Sequence, residues 1–264
     1  MFFSCHFRFA ALIGPDAPLI LESPRATCAL DVWDFYKPKH SEYASVDGKL
    51  SQACYLRSVD ACWDRLQEKS NIKLDDIRYC CFHAPYNKLV QKGFSRLFKE
   101  EDTTLSYEDT LTDRAFDAAL RAKSKTAYTE KVLPSTSLPT TIGNTYTASL
   151  YFGLVSALAA PLSVNDKILL FSYGSGSMAT MFTLRVAKSL ETLKLDAIED
   201  RLKDRHQCSI DLFEKTLSLR EERYGTAPYV PSGVPGAPSL NKGTYYLKAV
   251  DDLHRRTYDR VPLL

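Results

Sequence analysis

The chain has 264 residues, 45% of them hydrophobic and 25% charged, enough for a sizeable buried core in one large domain or two small ones. Its 34 Lys+Arg against 32 Asp+Glu leave a net charge of +2, which gives no reason to invoke nucleic acid or an acidic membrane. An anionic ligand must therefore be held by a local cluster of basic groups.

No run of about 20 apolar residues occurs, so no membrane-spanning helix is expected. The opening MFFSCHFRFAALIG is apolar but lacks a basic start, a clean hydrophobic stretch and a small-residue cleavage site, and it does not read as a signal peptide. Residues 10–22 hold two short apolar runs around Gly14-Pro15-Asp16 and read as a hairpin. Residues 25–47, with Pro38 and several aromatics, read as an irregular connection. From Leu50 to Gln67, apolar residues at 50, 54, 55, 59, 62, 63 and 66 have helical spacing. Asp75 to His83 reads as a buried strand entering a turn at Ala84-Pro85, and Asn87 to Phe98 as an amphipathic helix.

The charged stretch 100–131 has helical character, and Pro134 to Pro139 is expected to break the chain before a helix over Thr141 to Leu158. Asn165 to Phe171 is a fully apolar strand, 172–176 the loop after it, and Met178 to Val186 a second strand. Residues 187–225 read as polar helix, 228–238 as a Pro/Gly-rich loop, and Gly243 to Val250 as a final strand. Alternating strands and helices define an α/β class with a buried sheet.

Seven cysteines, Cys5, Cys28, Cys54, Cys62, Cys80, Cys81 and Cys208, form no C-x-x-C pair and no Cys/His spacing typical of zinc. An odd number without a framework points to free thiols in a reducing compartment. Cys80 and Cys81 lie too close to His83, in too apolar a run, to make a nucleophile–base pair; they are expected to point to opposite sides of the sheet.

Three local features can carry chemistry. His83 ends an apolar strand, where ligands gather in open α/β sheets, and an imidazole there can polarise a carbonyl or exchange a proton. Taken by itself it fits a satisfied core or turn histidine better. Lys88 and Lys92, four apart on one helical face, can hold phosphate or be two solvated lysines. The loop Ser172-Tyr173-Gly174-Ser175-Gly176 can bring backbone N–H groups to an oxyanion or be a tight turn between strands. It is neither a Walker A loop nor a G-x-S-x-G elbow. Asn144, just before a helix, can donate to a carbonyl or cap the helix.

Nine stretches, in one order along the chain, resemble the hydroxymethylglutaryl-CoA synthase family: ALIGPDAPLI (11–20), DFYKP (34–38), SEY (41–43), VDGKLS (46–51), FHAPYNKLVQK (82–92), GNTYTASLY (143–151), FSYGSG (171–176), GTYYL (243–247) and HRRTY (254–258). The resemblance implies a thiolase-like α/β fold with layered αβαβα architecture. Here it implies the C-terminal half with the last part of the N-terminal half, spanning 11–264 after an unmatched 1–10. It implies condensation of acetyl-CoA with acetoacetyl-CoA and no cofactor beyond these acyl-CoA substrates. A homodimer is implied for the intact family, with no nucleic acid partner, in the cytoplasm or in mitochondria.

Residue by residue, it implies that His83 positions the acetoacetyl thioester and polarises the carbonyl under attack. Lys88 and Lys92 match positions that hold coenzyme A phosphates. Asn144, Ser175 and Gly174 match the acyl and oxyanion contacts, and Tyr146 borders the same cavity. Asp34, Phe35 and Ser51 match positions near the acyl chain. The family's nucleophilic cysteine, in an N-A-C-Y-G-G stretch, and its general-base glutamate have no counterpart in this sequence. The expectation is a chain inactive by itself; the other reading is a non-catalytic acyl-CoA-binding or interaction protein.

Overall fold

A turn at Pro15-Asp16, with Asp16 at φ 58°, leads into β1 (Leu19–Ala29). The computed structural model describes residues 9–99, 103–189, 196–203, 205–233 and 240–263. The hairpin expected over 10–22 does not form. Leu12 and Ile13 are 101% and 92% exposed, and β1 pairs instead with a strand more than 150 residues away. The first apolar run is too short to bury a face, so only the turn survives. The irregular connection expected from 25 likewise starts later, because β1 runs on to Ala29 and buries Ala26 and Cys28 in alternation. Two-residue strands follow, β2 (Phe35–Tyr36) and β3 (Ser45–Val46).

Helix α1 (Gly48–Ser70) is capped by Asp47, whose carboxylate accepts from the N–H groups of Lys49 and Leu50. It ends at Asn71 in the left-handed conformation, and the Asn71 N–H returns to Gln67 O. Its inward face carries Tyr55, Val59, Cys62 and Leu66. After β4 (Ile77–Phe82), helix α2 (Asn87–Arg96) buries Leu89, Val90 and Phe94 beside α1. Gly93 allows that approach: a Cβ there would stand 2.8 Å from Cε1 of Tyr55.

The charged segment folds as α3 (Tyr107–Thr110), α4 (Arg114–Lys123) and α5 (Lys125–Lys131). Arg96 on α2 donates through Nε to both carboxylate oxygens of Asp60 on α1, at 3.0 and 3.1 Å, and through Nη1 to Thr110 O at 3.0 Å. The Tyr107 hydroxyl donates to the same carboxylate at 3.1 Å, so this buried charge pair has its hydrogen bonds supplied.

Pro134 and Pro139 do not interrupt the chain as expected. They fall in the first turns of a 3-10 segment (Leu133–Thr136) and of α6 (Ser137–Ile142), where a proline's missing N–H is not needed. The break comes later, at Gly143 (φ 84°) and Tyr146 (φ 53°), so the long helix is shortened to α7 (Ser149–Leu158). β5 (Lys167–Gly174) continues through most of the expected loop, and β6 (Met178–Val186) follows after a three-residue turn.

The sheet runs β1-β6-β5-β4, antiparallel except for the parallel pair β4/β5. Helices α1 and α2 pack on one face and α7 lies over β4 and β5 on the other. Cys80 joins the first core and Cys81 the second, on opposite sides of the sheet as their adjacency predicts. Carbonyls of both outer strands accept from side chains: Thr27 O from Arg65 and Arg25 O from Lys69 on β1, Ile77 O from Lys131 and Cys80 O from Ser135 on β4.

These elements make one compact unit, running to Tyr36 and again from Val46 to Asp196. A second unit comprises Lys37–Ser45 and the chain from Ala197. It holds α8 (Asp196–Lys203), α9 (Ile210–Glu222) and a hairpin of β7 (Tyr245–Val250) with β8 (Arg256–Arg260), the last strand unforeseen in the sequence. The Tyr43 hydroxyl donates to Leu217 O at 2.7 Å and Arg220 pairs with Glu42, tying the 37–45 loop to α9. The Pro/Gly-rich loop is described over 228–233; its residues 234–239, like 190–195 within the polar helical stretch, lie outside the described residues.

Candidate active site

The carboxyl ends of β4 and β5 are neighbours in the sheet, so the residue after β4 and the loop after β5 lie side by side. His83 sits there, its backbone fully engaged. Its N–H donates to Phe171 O at 2.8 Å, and its carbonyl accepts from the hydroxyl of the wholly buried Tyr55 at 2.9 Å. The next residue, Ala84, exchanges two hydrogen bonds with the Ser149 hydroxyl at the start of α7. The imidazole stands 6.5 Å, centroid to centroid, from the ring of Tyr173. Burial disfavours its charged form and lowers the pKa to about 4, so at neutral pH the ring is uncharged.

Asp34, which the Tyr173 hydroxyl reaches, is fully buried. Its carboxylate accepts from the Gly176 N–H at 2.9 Å and from the Tyr173 hydroxyl at 3.2 Å. Burial alone would raise its pKa. Hydrogen bonds from Gly176, Ser51, Ser175 and Tyr173 outweigh that and hold the carboxyl below its usual range. The Gly-rich turn is thus tied down by one ionised side chain, with Gly176 at φ 118°, a conformation closed to residues bearing a Cβ. Ser51 on α1 joins the same carboxylate, so Asp34, Ser51, Ser175 and the 174–176 turn form one cluster. Phe35 follows Asp34 and is partly buried.

Asn144 lies in the break before α7, where its Oδ1 accepts from the Tyr146 N–H at 2.8 Å. Tyr146 is 41% exposed. The Ser149–Ala84 bonds fasten the start of α7 beside His83, and the 143–146 break lies just ahead of that anchor. Lys88 is exposed and, among the described residues, makes no ion pair, whereas Lys92 lies 3.8 Å from Oδ2 of Asp117 on α4. The structure therefore gathers His83 with the Asp34 cluster and separates the two lysines by environment.

Sequence reasoning missed Tyr55, Ser149, Tyr173 as a donor and Asp117. Tyr55 and Ser149 sit on apolar helices that read as core, and only their pairing with the backbone of 83–84 marks them. Among the described residues no group of three His, Cys, Asp or Glu is placed to hold a metal ion.

A mixed sheet flanked by helices on both faces, with an uncharged histidine and a glycine turn at its strand ends, is the arrangement of the thiolase-like fold class. Two solved structures share the fold. "MvaS in complex with 3-hydroxy-3-methylglutaryl coenzyme A" superposes with TM-score 0.73 at 26% identity, covering 92% of this chain and 58% of that one. "HMG_CoA synthase complexed with CoA" gives 0.67 at 28% identity, over 93% and 58%.

The chain belongs to the hydroxymethylglutaryl-CoA synthase family. It matches the family described as "Hydroxymethylglutaryl-coenzyme A synthase C terminal" over residues 19–104 and 98–261. It is 39% identical to hydroxymethylglutaryl-CoA synthase erg13A of Aspergillus fumigatus, over 97% of this chain and 62% of that protein. It is 38% identical to hydroxymethylglutaryl-CoA synthase A of Dictyostelium discoideum, over 95% and 57%. The chain thus spans about three-fifths of the length of these relatives.

Proposed function

We propose that this chain supplies the acyl-acceptor side of a hydroxymethylglutaryl-CoA synthase, the part that holds acetoacetyl-CoA while an acetyl carbanion adds to its ketone. The observation that carries the reading is the uncharged His83, fixed by Phe171, Tyr55 and Ser149 next to a glycine turn that Asp34 immobilises. A neutral imidazole can donate its N–H to a ketone oxygen and stabilise the alkoxide that develops there; its rigid backbone keeps the donor aimed. Asn144 and Ser175 provide further polar groups near that oxygen, Tyr146 and Phe35 border the acyl chain, and Lys88 and Lys92 take the coenzyme A phosphates. The acetyl carrier and the general base are not assigned to this chain. Among the described residues five of six cysteines are buried, and burial pushes Cys62 and Cys80 up to about 12, far from a thiolate at neutral pH. The free thiols fit a reducing compartment, and we place the protein in the cytoplasm. The human and mouse relatives carry the names cytoplasmic and mitochondrial.

The test is to join the chain to the N-terminal portion of the Aspergillus relative and measure condensation. Substituting His83→Ala should lower kcat/KM for acetoacetyl-CoA by about 100-fold or more, while acetylation from acetyl-CoA stays near the parent rate. Condensation within threefold of the parent would remove His83 from the chemistry.

A further inference from the structure

We propose that Asp117 sets the affinity of this site for the phosphates of a coenzyme A thioester, by pairing with Lys92 until the ligand displaces it. The proposal rests on the reading of Lys92 as a phosphate contact and adds a residue that no motif in the sequence contains. The Lys92 ammonium is 3.8 Å from Oδ2 of Asp117, inside ion-pair range and beyond hydrogen-bond range. The same oxygen takes a 3.0 Å hydrogen bond from Nε of Arg121, one turn along α4. Asp117 therefore has one tight partner and one loose partner.

That asymmetry makes the exchange easy. When a phosphate takes over Lys92, Asp117 keeps Arg121, so no partly buried carboxylate is stranded without a cation. Only the lysine head has to move, and no hydrogen bond between protein groups breaks. The side chains of Lys92 and Asp117 are 23% and 17% exposed, so their attraction is less screened than at an open surface, and so is that of Lys92 for an incoming phosphate.

The neighbouring charges are otherwise occupied or outside the pair. Arg96, one turn after Lys92, is bound to Asp60, and Asp113 accepts from the Phe116 N–H as the cap of α4. Arg114 and Asp113 both line the same cleft between α2 and α4 and offset each other, so the positive charge left once Arg121 neutralises Asp117 is that of Lys92. Lys88, one turn before Lys92, is exposed and ready to meet the same ligand. Asp117 thus acts as a stand-in for the anion, lowering affinity for phosphate-bearing ligands without touching the acyl group.

The experiment titrates the purified 264-residue chain with coenzyme A and with pantetheine, which lacks the phosphates, by calorimetry. Asp117→Asn should tighten coenzyme A by about two- to fivefold, the scale expected for releasing one partly exposed ion pair, and leave pantetheine unchanged. Lys92→Met should weaken coenzyme A, and in that background Asp117→Asn should bring no gain. Melting curves check that each variant folds, and Asp117→Ser, which also discharges the pair, serves if Asp117→Asn does not. No tightening in a folded Asp117 variant, with Lys92→Met still weakening binding, overturns this inference alone. A gain that persists in the Lys92→Met background also overturns it, since Asp117 would then act as general repulsion. Wild-type chain that binds coenzyme A no better than pantetheine overturns the phosphate reading of Lys92 and the inference with it.

Discussion

His83 has a pKa near 4 in the folded chain against an ordinary value of 6.5, and that difference has a sign that experiment can read. The unfolded chain takes up the proton at higher pH than the folded one. Protonation therefore favours unfolding, and stability falls as pH drops from about 6.5 towards about 4; above 6.5 this group has no effect. The full difference is on the order of 3 kcal/mol, at 1.36 kcal/mol per unit. Asp34 acts in a different window: its lowered pKa contributes stability above its usual value of 3.8 that is lost only as pH falls below that. Urea unfolding at pH 7.5, 5.5 and 4.5 should show the loss in the parent and a flatter profile in His83→Phe. Equal slopes in both would mean that the ring is solvated in the folded state. The sequence made His83, Asn144, Ser175 and the lysine pair visible, because they stand in contiguous motifs. It did not show that Asp34 organises the glycine turn, since the Gly176 N–H it accepts lies 142 positions along the chain. Nor could it show that Lys92 is already paired, because Asp117 occupies an unremarkable stretch of charged helix.

At the scale of elements, apolar periodicity and apolar runs made α1, α2, β4, β5 and β6 legible. The failures had distant and local causes. The apolar run before Gly14 has no partner in the sheet, whereas β1 finds one in β6. The helix over 141–158 is cut by positive φ at Gly143 and Tyr146, which turns Asn144 out of a helix and lets its side chain serve the loop. Helix packing supplies a further prediction. Because a methyl at position 93 would meet Tyr55 at 2.8 Å, Gly93→Ala should destabilise the chain by about 1–3 kcal/mol, as overpacking in a filled core does. Tyr55 also donates to His83 O, so the shift should reach the site; a chemical-shift change at the His83 ring accompanying the lowered melting temperature is the expected signature. An alanine variant as stable as the parent would show that α1 and α2 separate easily.

For the whole chain, the expected result is that it makes no hydroxymethylglutaryl-CoA by itself. Condensation needs a thiolate to carry acetyl and a carboxylate to take the methyl proton. Incubation with acetyl-CoA and acetoacetyl-CoA should release no coenzyme A above the blank and leave the protein's mass unchanged; turnover like that of an intact synthase would overturn the residue assignments. Self-association is expected as well. α7 covers β4 and β5, while on the same side of the sheet Leu21, opposite Leu184, remains 49% exposed and Met178, at the start of β6, 62% exposed. Sedimentation should therefore depend on concentration, and Leu21→Lys with Met178→Lys should shift it towards monomer. The manner of that association is constrained by the outer strands. Arg65, Lys69, Lys131 and Ser135 already occupy carbonyls that a neighbouring strand would need. Along these occupied stretches of β1 and β4, copies can meet side to side through apolar contacts but not by adding strand after strand. Clusters of this chain should accordingly be amorphous and reversible on dilution, binding no amyloid dye and giving no 4.7 Å fibre reflection.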